Sequence, residues 1–303
     1  MAKILVTDKL DQEAIKLLKA KAQVDEFLDQ DQDAIIAKIP AYDALVVRSK
    51  TKVTDGIITA GKNLKVVGRA GTGLDNVDVE AAKTRGIKVL NTPGASSISV
   101  AELTIALALA LLRKIPQADS SVKGGGWEKK LYKGNEISGK EWGILGFGNI
   151  GRTLARMLSG FDCEILAYDP MMDEATAKKL NVRPVALETL FKESDIISIH
   201  VPLLPETRYI VGDKQLSLMK SSSTLIHIAR GGIVDEGALY KALKENRIRG
   251  AALDVFEKEP PEGSPLLKLE NVVFTPHLGA QTEEGQGRVG IEIAQKVLSE
   301  LGI

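Results

Sequence analysis

Between Trp142 and Asp169 the chain runs through an apolar strand, a glycine turn, an amphipathic helix, a second apolar strand and an acid, an order that few folds accommodate. The strand Trp142–Leu145 leads directly into Gly146-Phe147-Gly148-Asn149-Ile150-Gly151, a G-x-G-x-x-G turn. Ile150, Leu154, Met157 and Leu158 then recur at helical spacing on one face. The strand Ile165–Tyr168 ends on Asp169, 18 residues beyond Gly151. This is the pattern of a βαβ dinucleotide-binding unit, and each part has a physical task. Gly146 permits the tight turn, Gly148 lets backbone approach a pyrophosphate, and Gly151 lets the helix pack close on the strand. The free N–H groups and positive dipole end of the helix face the phosphates. Asp169 is placed to accept hydrogen bonds from the adenosine ribose hydroxyls. Pro170 and Met171 follow it, with no arginine beside it to pair a 2′-phosphate, so the expected cofactor is NAD rather than NADP.

Elsewhere short apolar runs alternate with helical patterns. Strands are expected at Lys3–Val6, Ala44–Val47, Leu64–Val67, Lys88–Leu90, Ile196–Ile199, Leu225–Ile228, Ala251–Val255 and Val272–Phe274. Helices are expected at Gln12–Lys19, Val79–Thr84, Ala238–Lys244 and Gln281–Leu301. The segment Val100–Arg113 is apolar on most sides and predicts a largely buried helix. Ser120–Gly139, with three consecutive glycines at 124–126, reads as a loop. Repeated strand–helix alternation predicts the α/β class with covered parallel sheets.

A length of 303 residues favours two domains. Forty basic and forty acidic side chains leave no global field to hold nucleic acid or an anionic membrane. The longest apolar stretch, Leu103–Leu112, is too short to span a bilayer. Cys163 is the only cysteine, which excludes an intrachain disulfide and a cysteine-based metal site; no metal is expected, and the chain reads as cytoplasmic.

Four further stretches carry a resemblance. They are residues 68–78 (GRAGTGLDNVD), 229–235 (ARGGIVD), 252–260 (ALDVFEKEP) and 276–280 (PHLGA). With the glycine turn, and in this order, they resemble the D-isomer-specific 2-hydroxyacid dehydrogenases over essentially the whole chain, most closely the members that oxidise D-3-phosphoglycerate. The resemblance implies two Rossmann-like doubly wound domains with the active site in a cleft between them. A substrate-binding domain of residues 1–94 and 278–303 would be interrupted by an NAD-binding domain of residues 95–277. It also implies a homodimer, paired through the apolar helix at 100–113 and the loop around Trp127.

Removing hydride from a 2-hydroxy acid needs a base for the hydroxyl proton and a cation for the carboxylate. By resemblance His277 is the acid/base, Glu259 its partner and Arg230 the cation. Histidine changes charge near neutrality, a carboxylate orients its ring, and arginine matches a carboxylate with two parallel hydrogen bonds. Of the other histidines, His227 lies in an apolar strand and reads as a satisfied core residue, and His200 reads as structural. Asp254 ends a strand and matches the family aspartate that meets the nicotinamide carboxamide. Thr72, Asn149, Ile150, Val201, Ile228, Ala229 and the run His277, Leu278, Gly279, Ala280 match positions that line the cofactor. Val201 departs from relatives that carry a hydroxyl there, so its contact would be through backbone or packing.

Arg48 and Arg69, with Gly71, are candidates for a second anion site. The segment from Arg48 to Thr54 resembles that of the phosphoglycerate enzymes, where the arginine meets the substrate phosphate. The implied substrate is a phosphorylated 2-hydroxy or 2-oxo acid in the first step of serine biosynthesis, with glyoxylate or hydroxypyruvate reduction as the alternative. A reading of another class is an NAD-sensing corepressor, since such proteins in the family can retain the catalytic trio. The chain ends at Ile303, soon after the last helix, so a C-terminal regulatory ACT domain, and serine inhibition by that route, are not expected.

Overall fold

In the computed structural model, which describes residues 1–303, the apolar runs become twelve strands in two wholly parallel sheets. Each sheet belongs to one of two units, residues 1–96 with 280–303, and residues 97–279.

The first unit opens with β1 (Lys3–Val6), α1 (Gln12–Lys19), β2 (Gln23–Glu26), α2 (Gln32–Lys38), β3 (Ala44–Val47), α3 (Asp55–Ala60), β4 (Val66–Arg69), α4 (Val79–Thr84) and β5 (Lys88–Leu90). The sheet order is β2-β1-β3-β4-β5. β3 is central and buried at every residue, as its unbroken Ala-Leu-Val-Val run requires. β2 was not expected from the sequence. Its Gln-Val-Asp-Glu stretch has no apolar run, and it forms at the sheet edge by pairing with β1. Aspartates at the helix entrances settle where helices begin: Asp11, Asp31 and Asp78 each accept a backbone N–H of the first turn.

The second unit starts with α5 (Ser97–Leu112) and α6 (Ile115–Lys123). Residues 120–123, expected as loop, belong to α6. Pro116 lies in the first turn of that helix, and the glycines from Gly124 onward end it rather than define the segment before them. Next come β6 (Glu141–Leu145), α7 (Asn149–Leu158), β7 (Glu164–Tyr168), α8 (Glu174–Lys179), β8 (Val182–Pro184), α9 (Leu187–Glu193), β9 (Ile196–Ile199), α10 (Asp213–Leu218), β10 (Thr224–His227), α11 (Glu236–Lys244), β11 (Gly250–Leu253) and β12 (Val272–Phe274). The order β12-β11-β10-β9-β6-β7-β8 is a doubly wound sheet whose direction of growth reverses between β6 and β9. One apolar cluster joins α5 and α7 to one face of the sheet, and a second fills the other face.

The last helix, α12 (Glu283–Glu300), returns to the first unit and packs on α1 and β4. Close approach at glycine makes this possible, since a Cβ at Gly68 would lie 2.6 Å from Val297 Cγ2. No helix is long and apolar enough to cross a membrane.

Candidate active site

In the second unit, three loops at the carboxyl ends of β10, β11 and β12 bring Arg230, Glu259 and His277 into one neighbourhood. The chain leaves β11 at Asp254, whose side chain is buried at 1% exposure. Its Oδ1 accepts from the Thr275 hydroxyl at 2.6 Å and from Leu278 N–H at 2.7 Å, and its Oδ2 accepts from Gly279 N–H at 2.9 Å. Burial pushes this carboxyl above the usual carboxylate range, and the three hydrogen bonds and the charge of His277 oppose that shift. The donors all lie just after β12, so one carboxylate folds this segment into a turn. His277, in the middle of the turn, has a left-handed backbone with φ of 56°.

That turn presents the His277 ring to Glu259. Nδ1 lies 2.9 Å from Glu259 Oε2, while Glu259 Oε1 accepts from Phe256 N–H at 3.2 Å. Both side chains remain partly open to solvent. Arg230 follows β10, and its Nη1 donates to the Ala229 carbonyl at 2.8 Å. A Cβ on Gly231 would lie 1.9 Å from the Phe256 carbonyl oxygen, so only glycine lets the arginine loop lie against the loop that carries Glu259.

The glycine turn sits where the sheet order reverses. Gly146, with φ of 97°, passes so close to β9's exit that a Cβ would lie 2.8 Å from the Val201 nitrogen. Gly151 similarly leaves no room against the Gly146 carbonyl, at 2.3 Å. A Cβ on Gly148 would meet nothing within 4 Å, so the turn leaves open space before the start of α7, where Asn149 and Ile150 lie. Asp169 ends β7 and faces the turn, its oxygens accepting from Phe147 and Met171 N–H at 2.8 Å each. An open glycine turn before a helix start, with a carboxylate at the end of the next strand, fits NAD. The adjoining pocket of about 170 Å³ is also lined by Arg152, 17 residues before Asp169. Val201 contributes backbone at Gly146, Ile228 and Gly279 are buried, and Leu278 is exposed.

Thr72, Arg48, Arg69 and Gly71 lie in the first unit, as does Ala280. Arg48 follows β3, and Asp8 lies two residues beyond the neighbouring β1, again where the sheet order reverses. Asp8, 5% exposed, accepts from Arg48, Lys50 and Thr51 N–H and from the Thr51 hydroxyl. Asn76 donates to the carbonyls of Arg48 and Thr51 at 2.7 Å each and accepts from Arg69 Nε at 3.4 Å. Gly71 leaves the room that the Arg69 guanidinium fills, since a Cβ there would lie 1.6 Å from Nη1. The Thr72 carbonyl accepts from Asn91 at 2.6 Å. Sequence reasoning missed Asp8 and Asn76, because their partners are distant along the chain, and Arg152, because only the fold puts it on the wall of a pocket shared with Asp169.

Residues 105–279 match the family model described as the D-isomer specific 2-hydroxyacid dehydrogenase NAD-binding domain. The chain belongs to the D-isomer specific 2-hydroxyacid dehydrogenase family. Among its relatives, a hydroxypyruvate reductase of Thermotoga maritima is 51% identical over 307 residues, covering 99% of each chain. A D-3-phosphoglycerate dehydrogenase of Methanocaldococcus jannaschii is 49% identical over 298 residues, which are 98% of this chain and 57% of that one. The chain thus spans little more than half the length of that dehydrogenase. The solved structure of Aquifex aeolicus D-lactate dehydrogenase complexed with NAD and lactic acid superposes with a TM-score of 0.85 at 27% identity, covering 99% of this chain and 95% of that one.

The remaining histidines of this family member sit at the exits of adjacent strands. His227, expected as a satisfied core residue, is buried with the backbone of Arg230 as a polar neighbour, and the enclosed ring nitrogens of His200 have no hydrogen-bond partner. Burial, with the neighbouring His227, pushes His200 down to about 3, and burial pushes His227 down to about 4. Both rings are neutral in the folded protein and gain a proton near pH 6.5 on unfolding. The unfolded chain therefore binds more protons below that pH, and stability falls with falling pH from about 7 until the folded-state values are reached. We predict a loss at pH 5 of roughly 2 kcal/mol per histidine relative to pH 7.5. Urea denaturation at the two pH values measures it. The drop shrinks in His227→Asn, and an unchanged drop refutes the assignment.

Proposed function

We propose that this protein is an NAD-dependent dehydrogenase that interconverts a D-2-hydroxy acid and its 2-oxo acid. The observation that carries this reading is the 2.9 Å contact of His277 Nδ1 with Glu259, beside the loop of Arg230. Glu259 holds the Nδ1 proton and so leaves Nε2 free to take the substrate hydroxyl proton. The same carboxylate stabilises the ring once it is charged. Arg230 holds the substrate carboxylate and polarises the forming carbonyl. When bound, NAD supplies the acceptor for the hydride that leaves the substrate carbon. Gly146, Gly148, Asn149, Ile150 and Gly151 hold its pyrophosphate and Asp169 its adenosine ribose. Val201, Ile228, Ala229 and the turn from His277 to Ala280 line the rest. Asp254, with both oxygens already engaged, serves this reaction chiefly by holding the His277 turn.

The substrate we favour is D-3-phosphoglycerate, oxidised to 3-phosphohydroxypyruvate in the first step of serine biosynthesis, in the cytoplasm. Support comes from Arg48 and Arg69, held by Asp8, Asn76 and Gly71 at a switch point, where α/β sheets place ligands. A second reading, reduction of hydroxypyruvate, is supported by the Thermotoga relative, which matches over nearly the full length of both chains. Initial rates with NAD and 3-phosphoglycerate, and with NADH and hydroxypyruvate, decide between them. Under the first reading Arg48→Ala raises KM for the phosphorylated acid about 10–100-fold, the worth of a hydrogen bond to a charged group, and changes the KM for hydroxypyruvate only a few-fold. Equal effects on both acids contradict a phosphate role.

The working form is a homodimer. Ile115, Val122, Trp127 and Leu131 are large apolar side chains left more than half exposed around α6, and α5 beside them keeps Leu103, Ile105 and Leu109 only partly covered. Sedimentation velocity at micromolar concentration is expected to give a single species of twice the chain mass. A monomer contradicts this.

A further inference from the structure

The pocket beside Asp169 contains a cation that the sequence did not reveal. Phe147, Gly148, Arg152, Asp169, Met171 and Asp173 wall a space of about 170 Å³. Arg152 lies in the first turn of α7, 17 residues before Asp169. Its Nε donates to the Gly148 carbonyl at 3.3 Å and its Nη2 to Asn149 Oδ1 at 3.4 Å. Both bonds are long, the side chain is exposed, and a guanidinium carries five N–H groups, so donors remain for a ligand.

The two acids of the pocket are already committed. Asp173 caps α8, accepting from Ala175 and Thr176 N–H at 3.2 and 3.1 Å and from the Thr176 hydroxyl. The hydroxyl bond is the main cause of its lowered pKa, and Arg152 contributes across the pocket. Asp169 spends one lone pair of each oxygen on the N–H groups of Phe147 and Met171. A phosphate on the ribose 2′-hydroxyl would therefore meet Asp169 at the strand end, the helix-capping Asp173 behind it, both partly compensated, and one loosely held guanidinium.

We propose that Arg152 is a second determinant of cofactor choice, acting against Asp169 by attracting the 2′-phosphate that Asp169 repels. The inference rests on the reading of this turn as the adenosine site of NAD. It follows that the charge of Asp169 is what keeps NADP out, and that removing this charge alone exposes a cation already in place. An arginine binding the pyrophosphate instead would affect all adenine dinucleotides alike.

Calorimetric titration with ADP and with 2′,5′-ADP separates these roles, because the second ligand carries the 2′-phosphate and the readout is binding rather than turnover. We expect Asp169→Asn to tighten 2′,5′-ADP about tenfold, the worth of one charge-assisted contact. Adding Arg152→Gln is expected to abolish most of that gain while ADP affinity changes little, and adding Arg152→Lys to retain most of it. A gain that survives Arg152→Gln, or equal weakening of both ligands, overturns the inference while wild-type NAD binding leaves the cofactor reading standing. Failure of wild-type protein to bind either NAD or ADP overturns the cofactor reading and the inference with it.

Discussion

The buried carboxylate of Asp254 is the interaction on which the rest of the site depends. Taking a carboxylate out of water costs several kcal/mol, so it persists only where donors replace the lost hydration. Here the donors are the Thr275 hydroxyl and the N–H groups of Leu278 and Gly279. Gathering them around one side chain at the exit of β11 bends the chain after β12 into its turn. The left-handed conformation of His277 costs about 1–3 kcal/mol for a residue with a side chain, and the Asp254 bonds on either side sustain it. The ring that results is already oriented toward Glu259 before any ligand arrives, which is how a site avoids reorganisation during reaction.

The same economy of placement recurs in both sheets. Each is parallel throughout, and each reverses its order once, between β1 and β3 in the first unit and between β6 and β9 in the second. Chains leaving adjacent strands at such a point diverge to opposite faces and leave an opening at the carboxyl ends. In the second unit, Gly146 and Gly151 line that opening with backbone alone. In the first, Asp8 and Asn76 hold the segment of Arg48 in the same topological position. One geometric rule thus places two loops at equivalent points of the two sheets from unrelated local sequences.

Much of this was legible along the chain, and the boundary of legibility has a physical basis. β3, β9 and β12 are apolar but for Ser198 in β9, β3 and β9 are buried at every residue, and the limits of all three were read to the residue. The glycine turn and Asp169 could be read because their spacing is local. β2 and β8 could not, since edge strands with polar residues form by pairing rather than by pattern. α6 was partly misassigned because three glycines end a helix as readily as they make a loop. His277, Glu259 and Arg230 came from family resemblance. Nothing in the local sequence shows that Glu259 reaches a histidine 18 residues away, or that Gly231 seats one loop on another. Asp8, Asn76 and Arg152 act through tertiary neighbours, so their roles emerged only with the fold.

The most direct test is a double-mutant cycle on His277 and Asp254, with NADH formation and NAD binding measured for each variant. His277→Ala is expected to lose roughly 10²–10⁴-fold in turnover, the worth of a positioned acid/base, and to keep NAD affinity within a few-fold. Asp254→Asn places an amide N–H₂ against a backbone N–H in the turn, so turnover falls there too. Because Asp254 acts through His277, the double variant should be no slower than His277→Ala alone. Losses that multiply in the double variant, or a His277→Ala protein with near-normal turnover, would contradict the account.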